Sequence, residues 1–318
     1  MNVLQGLEEL RGRLPKPVVT IGNFDGVHLG HQALFAKVIE RARAIGGTSL
    51  AMTFEPHPMR VLRPAVNLPL ITPVTRKLAL IQDCGVEVVL CVRFDENLAR
   101  LSADDFVDKL LVGRLGVAEV VVGYDFVFGH KGLGDLDLLR QKGLSAGYGV
   151  HALGPVLIDG QPVSSTRVRQ LVRASDMAGA RRLLGRHYRV AGRVVSGHGR
   201  GGRVLGFPTA NLRPDNELLP GIGVYAVLVD LGDQLTPGVT NIGTNPTFGN
   251  GEVTVETFLL DYDGDLYGRE LALDFVDLLR GEQRFASVED LAAQIGRDEE
   301  KARGLLAPWL AEGVPPSA

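Results

Sequence analysis

The stretch VVTIGNFDGVHLGHQALFAKVIERA, residues 18–42, decides how the first half of the chain folds. Val18 to Gly22, apolar or β-branched as far as Ile21, read as a strand that is buried on both faces. Leu34, Phe35, Val38, Ile39 and Ala42 then recur at helical spacing. Between them lies GNFDGVHLGH, residues 22–31, a glycine-rich turn that opens the helix. His28 and His31 are three apart, so at a helix start they share one face. Free N–H groups and the positive end of the helix dipole gather there, a setting that suits a phosphate. Gly22, Gly26 and Gly30 let the backbone come close without Cβ atoms, and two imidazoles can donate hydrogen bonds to a phosphoryl group. A metal pair or a surface turn carrying two histidines would leave the same pattern, although no other Cys or His spacing supports a metal.

Outward from this stretch the pattern repeats. Residues 49–54, 86–92 and 118–124 read as further strands. Val74, Leu78 and Ile81 form a helical stripe with Thr72 as the expected cap and Pro73 in the first turn. Ser102 and Asp105 form a capping box before Phe106, Leu110 and Leu111. Alternation of this kind predicts a parallel sheet flanked by helices, with ligands beyond the carboxyl ends of the strands. After about residue 185 the texture changes. Residues 188–195, 223–230, 253–260 and 270–276 read as strands separated by Gly, Pro, Asn and Asp, which predicts an antiparallel sheet or small barrel. Ser287 and Asp290 cap a closing helix carrying Leu291, Ile295, Ala302, Leu305 and Leu306. The expected division is an α/β domain over 1–184, a β-barrel domain with C-terminal helices over 185–310, and a frayed tail over 311–318, with the short helix at 176–184 ending the first domain.

Composition agrees with two globular domains. The chain has 318 residues, 45% hydrophobic and 22% charged, with a formal charge of −3. Such a balance argues against disorder and against a protein that grips nucleic acid. Forty glycines are nearly twice the usual ~7% share and show no three-residue period. Cys84 and Cys91, the only cysteines, fit neither a disulfide framework nor a zinc site, so a reducing, cytoplasmic setting is expected. No apolar run is long enough to cross a bilayer. No nucleic-acid or membrane partner is expected, and a homo-oligomer is left open.

Further chemistry-bearing residues fall into two groups. In VSSTRVR, residues 163–169, Ser164, Ser165 and Thr166 can cap a helix beside Arg167 and Arg169, again a phosphate-binding arrangement. In PTAN, Thr209 and Asn211 alternate in an extended segment fixed by Pro208, so both side chains leave on one side. Both offer hard oxygen ligands of the kind magnesium takes one or two of, although a plain Thr/Asn turn would read the same. Glu256 lies on a strand face with Thr254, Phe258 and Leu260, where a carboxylate needs a partner or a role. Gly197, Gly199 and Gly202 match G-x-G-x-x-G, but no helix pattern follows, and Arg203-Val204 exclude a Walker motif. What remains is a glycine loop whose Arg200 and Arg203 can lie over phosphates. DYDGDLYGRE, residues 261–270, fails as an EF-hand and reads as the turn of a hairpin.

HLGH together with SSTRVR resembles the HxGH nucleotidyltransferases, specifically the adenylyltransferase half of the bifunctional riboflavin kinase/FAD synthetase family. FEPHP (54–58) and GYDFVFG (123–129) match two further blocks, the second departing at Val127, where many relatives carry Arg. GFPTANL (206–212), TNIGTNPTF (240–248), DYDGDLYGRE and the helix with QIGRDEEKA (294–302) resemble the riboflavin kinase half. The resemblance implies a Rossmann-like adenylyltransferase domain and a riboflavin kinase barrel. It implies ATP and Mg2+ as requirements, with riboflavin, FMN and FAD as substrates or products. By the same resemblance Glu256 is the general base for the ribityl 5′-hydroxyl, and Thr209 and Asn211 hold Mg·ATP. His28, His31, Ser164, Thr166 and Arg169 hold the phosphates of the second ATP, with Gly22 and Phe24 in the same nucleotide loop. Asp125 and Phe128 lie near nucleotide or flavin, with core packing an equal reading for Phe126 and Phe128. Two alternatives accompany this expectation: a flavin sensor that has lost turnover, and another HxGH adenylyltransferase fused to a barrel.

Overall fold

A computed structural model describes residues 2–196, 209–232, 234–244 and 253–311. The glycine loop with Arg200 and Arg203, Pro208, the NPTF tetrapeptide and the tail from 312 lie outside the described residues. The chain divides into two compact units, Met1–Ser164 and Ser165–Ala318.

In the first unit six strands form a parallel sheet: β1 (Asn2–Leu4), β2 (Val18–Ile21), β3 (Ser49–Glu55), β4 (Val88–Arg93), β5 (Glu119–Gly123) and β6 (Gly149–Leu153). Their order is β1-β4-β3-β2-β5-β6. Every residue of β2 is buried, as are the first six of β3, because helices cover both faces. The order reverses between β2 and β5, which creates a crevice at their carboxyl ends. The nucleotide-like turn leaves β2 at that crevice, and the block over 123–129 leaves β5 beside it.

One local expectation changes. Thr72 does not cap the Val74–Asp83 helix; Pro73 stands at the cap position with no side-chain hydrogen bond. The backbone N–H groups of Ile71 and Thr72 go instead to the carboxylate of Asp25. Ser102 does cap its helix, accepting from Asp105 N at 3.0 Å. After Asp105 that helix widens into π-type turns over Phe106–Leu115 and buries Phe106, Val107, Leu110, Leu111 and Leu115.

In the second unit six strands close an antiparallel barrel. They are β9 (Tyr188–Val195), β10 (Thr209–Pro214), β11 (Gly223–Asp230), β12 (Leu235–Thr244), β13 (Val253–Leu259) and β14 (Glu270–Arg280), in the order β10-β13-β12-β11-β14-β9. (β7, Leu157–Ile158, and β8, Gln161–Pro162, form a small hairpin in the first unit.) Inside, Thr240 and Thr257 are fully buried and share a hydroxyl–hydroxyl bond of 2.9 Å. Outside, Val224, Ala226, Leu228, Val239 and Phe258 pack under the Val288–Ala311 helix through Ala302, Leu305 and Leu306. The helices Ser165–Arg173 and Met177–Leu184 group with this unit. Ser175, between them, bonds the Tyr225 hydroxyl at 2.7 Å, and Arg181 lies over the Trp309 ring at 4.7 Å.

Residues 260–269 are not a hairpin turn. β13 pairs with β10 and β12, whereas β14 pairs with β11 and β9, so this connection crosses to a non-adjacent strand. Val194 N donates to Arg269 O at 2.9 Å, which hands the chain over to β9 and lets the barrel close. β12 carries Pro237 and Gly238 inside a strand. Pro237 is tolerated because its O, and hence its N, faces the end of β13, where Leu260 N donates to Pro237 O at 2.8 Å. Gly238 is required because a Cβ there would stand 2.8 Å from Val229 Cγ2.

Candidate active sites

The first candidate site is built by the turn after β2. His28 is the N-cap of the Leu29–Ile45 helix, and its Nδ1 accepts from His31 N at 3.4 Å. With Nδ1 accepting, a neutral ring carries its proton on Nε2, which is then a donor. The His28 and His31 rings stack with centroids 3.6 Å apart and planes 18° from parallel. The shared face read from their spacing is therefore present, and it coincides with the helix N-terminus. A Cβ on Gly30 would stand 3.1 Å from His28 Cε1, so glycine here keeps the ring in place. Gly26 sits at φ +84 and gives the turn its reversal.

The rest of the turn is held unusually firmly. Phe24 (φ 51) and Val27 (φ 40) are non-glycine residues in the left-handed region, and both are 1% exposed. For a β-branched residue this is a strained conformation that surrounding structure must impose. The Phe24 ring meets His31 edge-on at 5.3 Å and Phe35 at 4.8 Å. Phe24 thus supports His31 from within the core, and a Cβ on Gly22 would strike its ring at 2.7 Å. Asp25, 3% exposed, accepts from Ile71 N at 3.1 Å through both oxygens and from Thr72 N at 3.2 Å. The sequence reading passed over this aspartate. An acid flanked by an aromatic and a glycine in a tight turn is the signal that marks it.

Near the same strand ends, His57 caps the Pro58–Leu62 helix, accepting from Met59 N at 3.2 Å. Lys77, 5% exposed, donates to Phe54 O at 3.1 Å. Burial pushes its ammonium below the usual 10.5, opposed by Cys91, Glu55 and Asp25. In the block after β5, Asp125 is exposed, whereas Phe128 is 7% exposed and packs on Phe106 and Phe126 at 5.4 and 5.6 Å. Core packing describes Phe128 better than ring stacking on a ligand. Tyr124 and Val127 are the exposed apolar residues of that block. Ser164 is half-buried at the end of the first unit; Thr166 is exposed and Arg169 buried in the Ser165–Arg173 helix that opens the second.

The second candidate site lies on the outer face of the barrel. Along β10, Ala210 and Leu212 point inward, so Thr209 (exposed) and Asn211 (half-buried) share the outer face as expected. Along β13, Val255, Thr257 and Leu259 are buried inside, which places Thr254, Glu256 and Phe258 outside. Leu260 lies one residue past the strand end and packs in the same cluster as Phe258, under the C-terminal helix. Glu256 pairs directly with Asn211 of β10 and, on its other side, with Asn241 of β12. Directly opposed residues carry their Cβ atoms about 4.5–5.5 Å apart. Asn211, Glu256 and Asn241 therefore form one polar row across three strands, just past the apolar rows covered by the C-terminal helix. Asn241 was not singled out from sequence, since nothing in TNIG indicates which residue of a distant strand it faces.

Comparison with known proteins finds two family models along the chain. A family model described as FAD synthetase matches residues 11–167, and one described as riboflavin kinase matches residues 184–306. A bifunctional riboflavin kinase/FMN adenylyltransferase of Pseudomonas fluorescens is 46% identical over 97% of this chain and 99% of its own length. The protein of that name from Escherichia coli K12 is 41% identical over 97% and 100%, and that from Bacillus subtilis 35% identical over 90% and 92%. A solved structure described as a macrolide-efflux protein of Streptococcus pneumoniae superposes with a TM-score of 0.86 at 29% identity, covering 95% of this chain and 98% of that one. Among the described residues of this chain no helix is long and apolar enough to cross a membrane.

Proposed function

The chain belongs to the bifunctional riboflavin kinase/FMN adenylyltransferase family, and on that premise we propose how its residues share out the two activities. One activity phosphorylates riboflavin with ATP to give FMN; the other transfers AMP from ATP to FMN, giving FAD and pyrophosphate. In the first, the ribityl 5′-hydroxyl oxygen attacks the γ-phosphorus, the bond to ADP breaks, and Glu256 accepts the hydroxyl proton. Thr209 and Asn211 present side-chain oxygens on one accessible strand face, which fits a magnesium ion that takes few protein ligands and completes its shell with water and phosphate. Bound there, the ion would offset charge on the phosphates. In the second reaction an FMN phosphate oxygen attacks the α-phosphorus and pyrophosphate leaves. His28 and His31, backed by the Leu29–Ile45 helix N-terminus, donate to the phosphoryl oxygens as their charge grows. The family resemblance assigns Ser164, Thr166 and Arg169 to ATP phosphates as well. A cytoplasmic setting accords with two free thiols.

The observation that carries the kinase assignment is the register that makes Asn211 and Glu256 direct neighbours. Glu256→Gln is expected to lower FMN formation by about 10²–10⁴, the usual worth of a general base, and to leave adenylylation of supplied FMN intact. His28→Ala should do the reverse. Because His28 is also a cap, His28→Asn provides a control that caps equally well but cannot replace the imidazole. Chromatography of products from riboflavin and from FMN reads both reactions. Loss of both activities in a folded Glu256→Gln or His28→Asn protein would overturn the assignment of separate sites.

A further inference from the structure

Asn241 is the one member of the polar row on the barrel face to which no role has been given. It stands directly opposite Glu256, on the flank away from Asn211, and it is exposed. The next row contains Gly243 opposite Thr254. A Cβ on Gly243 would lie 3.3 Å from Asn241 Nδ2 and 3.7 Å from Thr254 Oγ1. Glycine at 243 therefore leaves the Asn241 amide its space on this face. Among the described residues the neighbours of Glu256 on this face are, by register, Thr254 and Phe258 along β13, Thr209 and Arg213 diagonally on β10, and Val239 and Gly243 diagonally on β12, so Arg213 is the charged one. A base that must accept a proton from one hydroxyl needs its carboxylate held in one orientation. An amide is suited to this, because it donates to a carboxylate without neutralising it.

We infer that Asn241 is a positioning residue of the kinase site, holding the Glu256 carboxylate from the side opposite Asn211. The inference rests on the reading of Glu256 as the base, and its test keeps the two separable. Asn241→Ala should lower kcat for FMN formation about ten- to hundredfold, the range of a hydrogen bond to a charged group, with KM for ATP changed less than about twofold. Adenylylation of supplied FMN should be unaffected. Asn241→Gln keeps an amide donor on a longer stem and should recover part of the kcat lost in Asn241→Ala, a rescue that a merely structural role would not give. Gly243→Ala, which crowds the amide without removing it, should give a smaller loss of the same kind.

Three arms on the full chain decide the matter. If Glu256→Gln retains FMN formation, the base reading fails, and this inference with it. If Glu256→Gln is inactive while Asn241→Ala keeps wild-type kcat, or Asn241→Gln is no better than Asn241→Ala, the base stands and the role of Asn241 is refuted. A fall in kcat with Asn241→Ala together with partial recovery in Asn241→Gln supports it.

Discussion

Asp25 offers the most direct test of how the adenylyltransferase turn is held. Its carboxylate is 3% exposed and accepts the backbone N–H groups of Ile71 and Thr72 at 3.1–3.2 Å. Ile71 is 1% exposed and Thr72 7%, so water cannot take over as acceptor. Asp25→Ala leaves two buried donors unpaired, each at a cost of roughly 1–3 kcal/mol, for a total of about 4 kcal/mol. In a unit of the size of Met1–Ser164, 1 kcal/mol corresponds to about 2–4 °C in Tm, so a fall of about 8–16 °C is expected. Asp25→Asn keeps a carbonyl oxygen where Oδ1 now receives both donors, and should cost less than about half as much. The same turn carries the strained Phe24 and Val27 and ends in His28, so the alanine variant should also lose adenylylation while FMN formation from riboflavin continues. Calorimetry of the full chain, with the temperature dependence of each activity as the assignment of each transition, makes the measurement. A Tm shift under about 3 °C for Asp25→Ala, or equal shifts for the alanine and asparagine variants, would refute the reasoning that unpaired backbone donors set the cost.

Inside the barrel, Thr257→Val or Thr240→Val strands the partner hydroxyl and should each cost about 1–3 kcal/mol, whereas the double variant should cost clearly less than their sum in chemical denaturation; strict additivity would show that the bond contributes nothing specific. At the amino end of β5, the Arg41 guanidinium bonds Glu119 at 2.6 and 2.8 Å and holds its carboxyl below the usual 4.5, with His151 at 2.9 Å assisting. A depressed carboxylate stabilises the fold above the unfolded value and loses that contribution as pH falls through the folded one. Wild type should therefore exceed Arg41→Met in stability at neutral pH, with the gap narrowing below about pH 4.5 in acid titrations followed by circular dichroism; a gap that stays constant down to about pH 2 would mean that packing of the arginine stem, not the charge, matters.

The parts that could be read in the sequence are those whose physics is local. Largely apolar or β-branched runs at 18–22, 49–54 and 118–124 have one comfortable place, a sheet covered on both faces, and the strands Val18–Ile21, Ser49–Glu55 and Glu119–Gly123 are there. His28 and His31 stack because three residues at a helix start is a geometric statement in itself. Local reasoning fails where the deciding partner is distant. Pro73 rather than Thr72 holds the cap position, and the Thr72 N–H goes to Asp25, 47 residues earlier in the chain. The connection over 260–269 has turn composition, yet barrel closure sends it past its expected partner to β9. Register is the sharpest case. A slip of one residue between β12 and β13 would turn Asn241 inward and set Thr240 beside Glu256, with no change in composition or propensity. What prevents the slip is the inward set of Thr240, Ile242, Val255, Thr257 and Leu259, whose burial fixes the outward set by default. The polar row of Asn211, Glu256 and Asn241 is thus specified by residues that never touch a substrate. Its integrity should follow the packing of the barrel interior rather than the polarity of its own face.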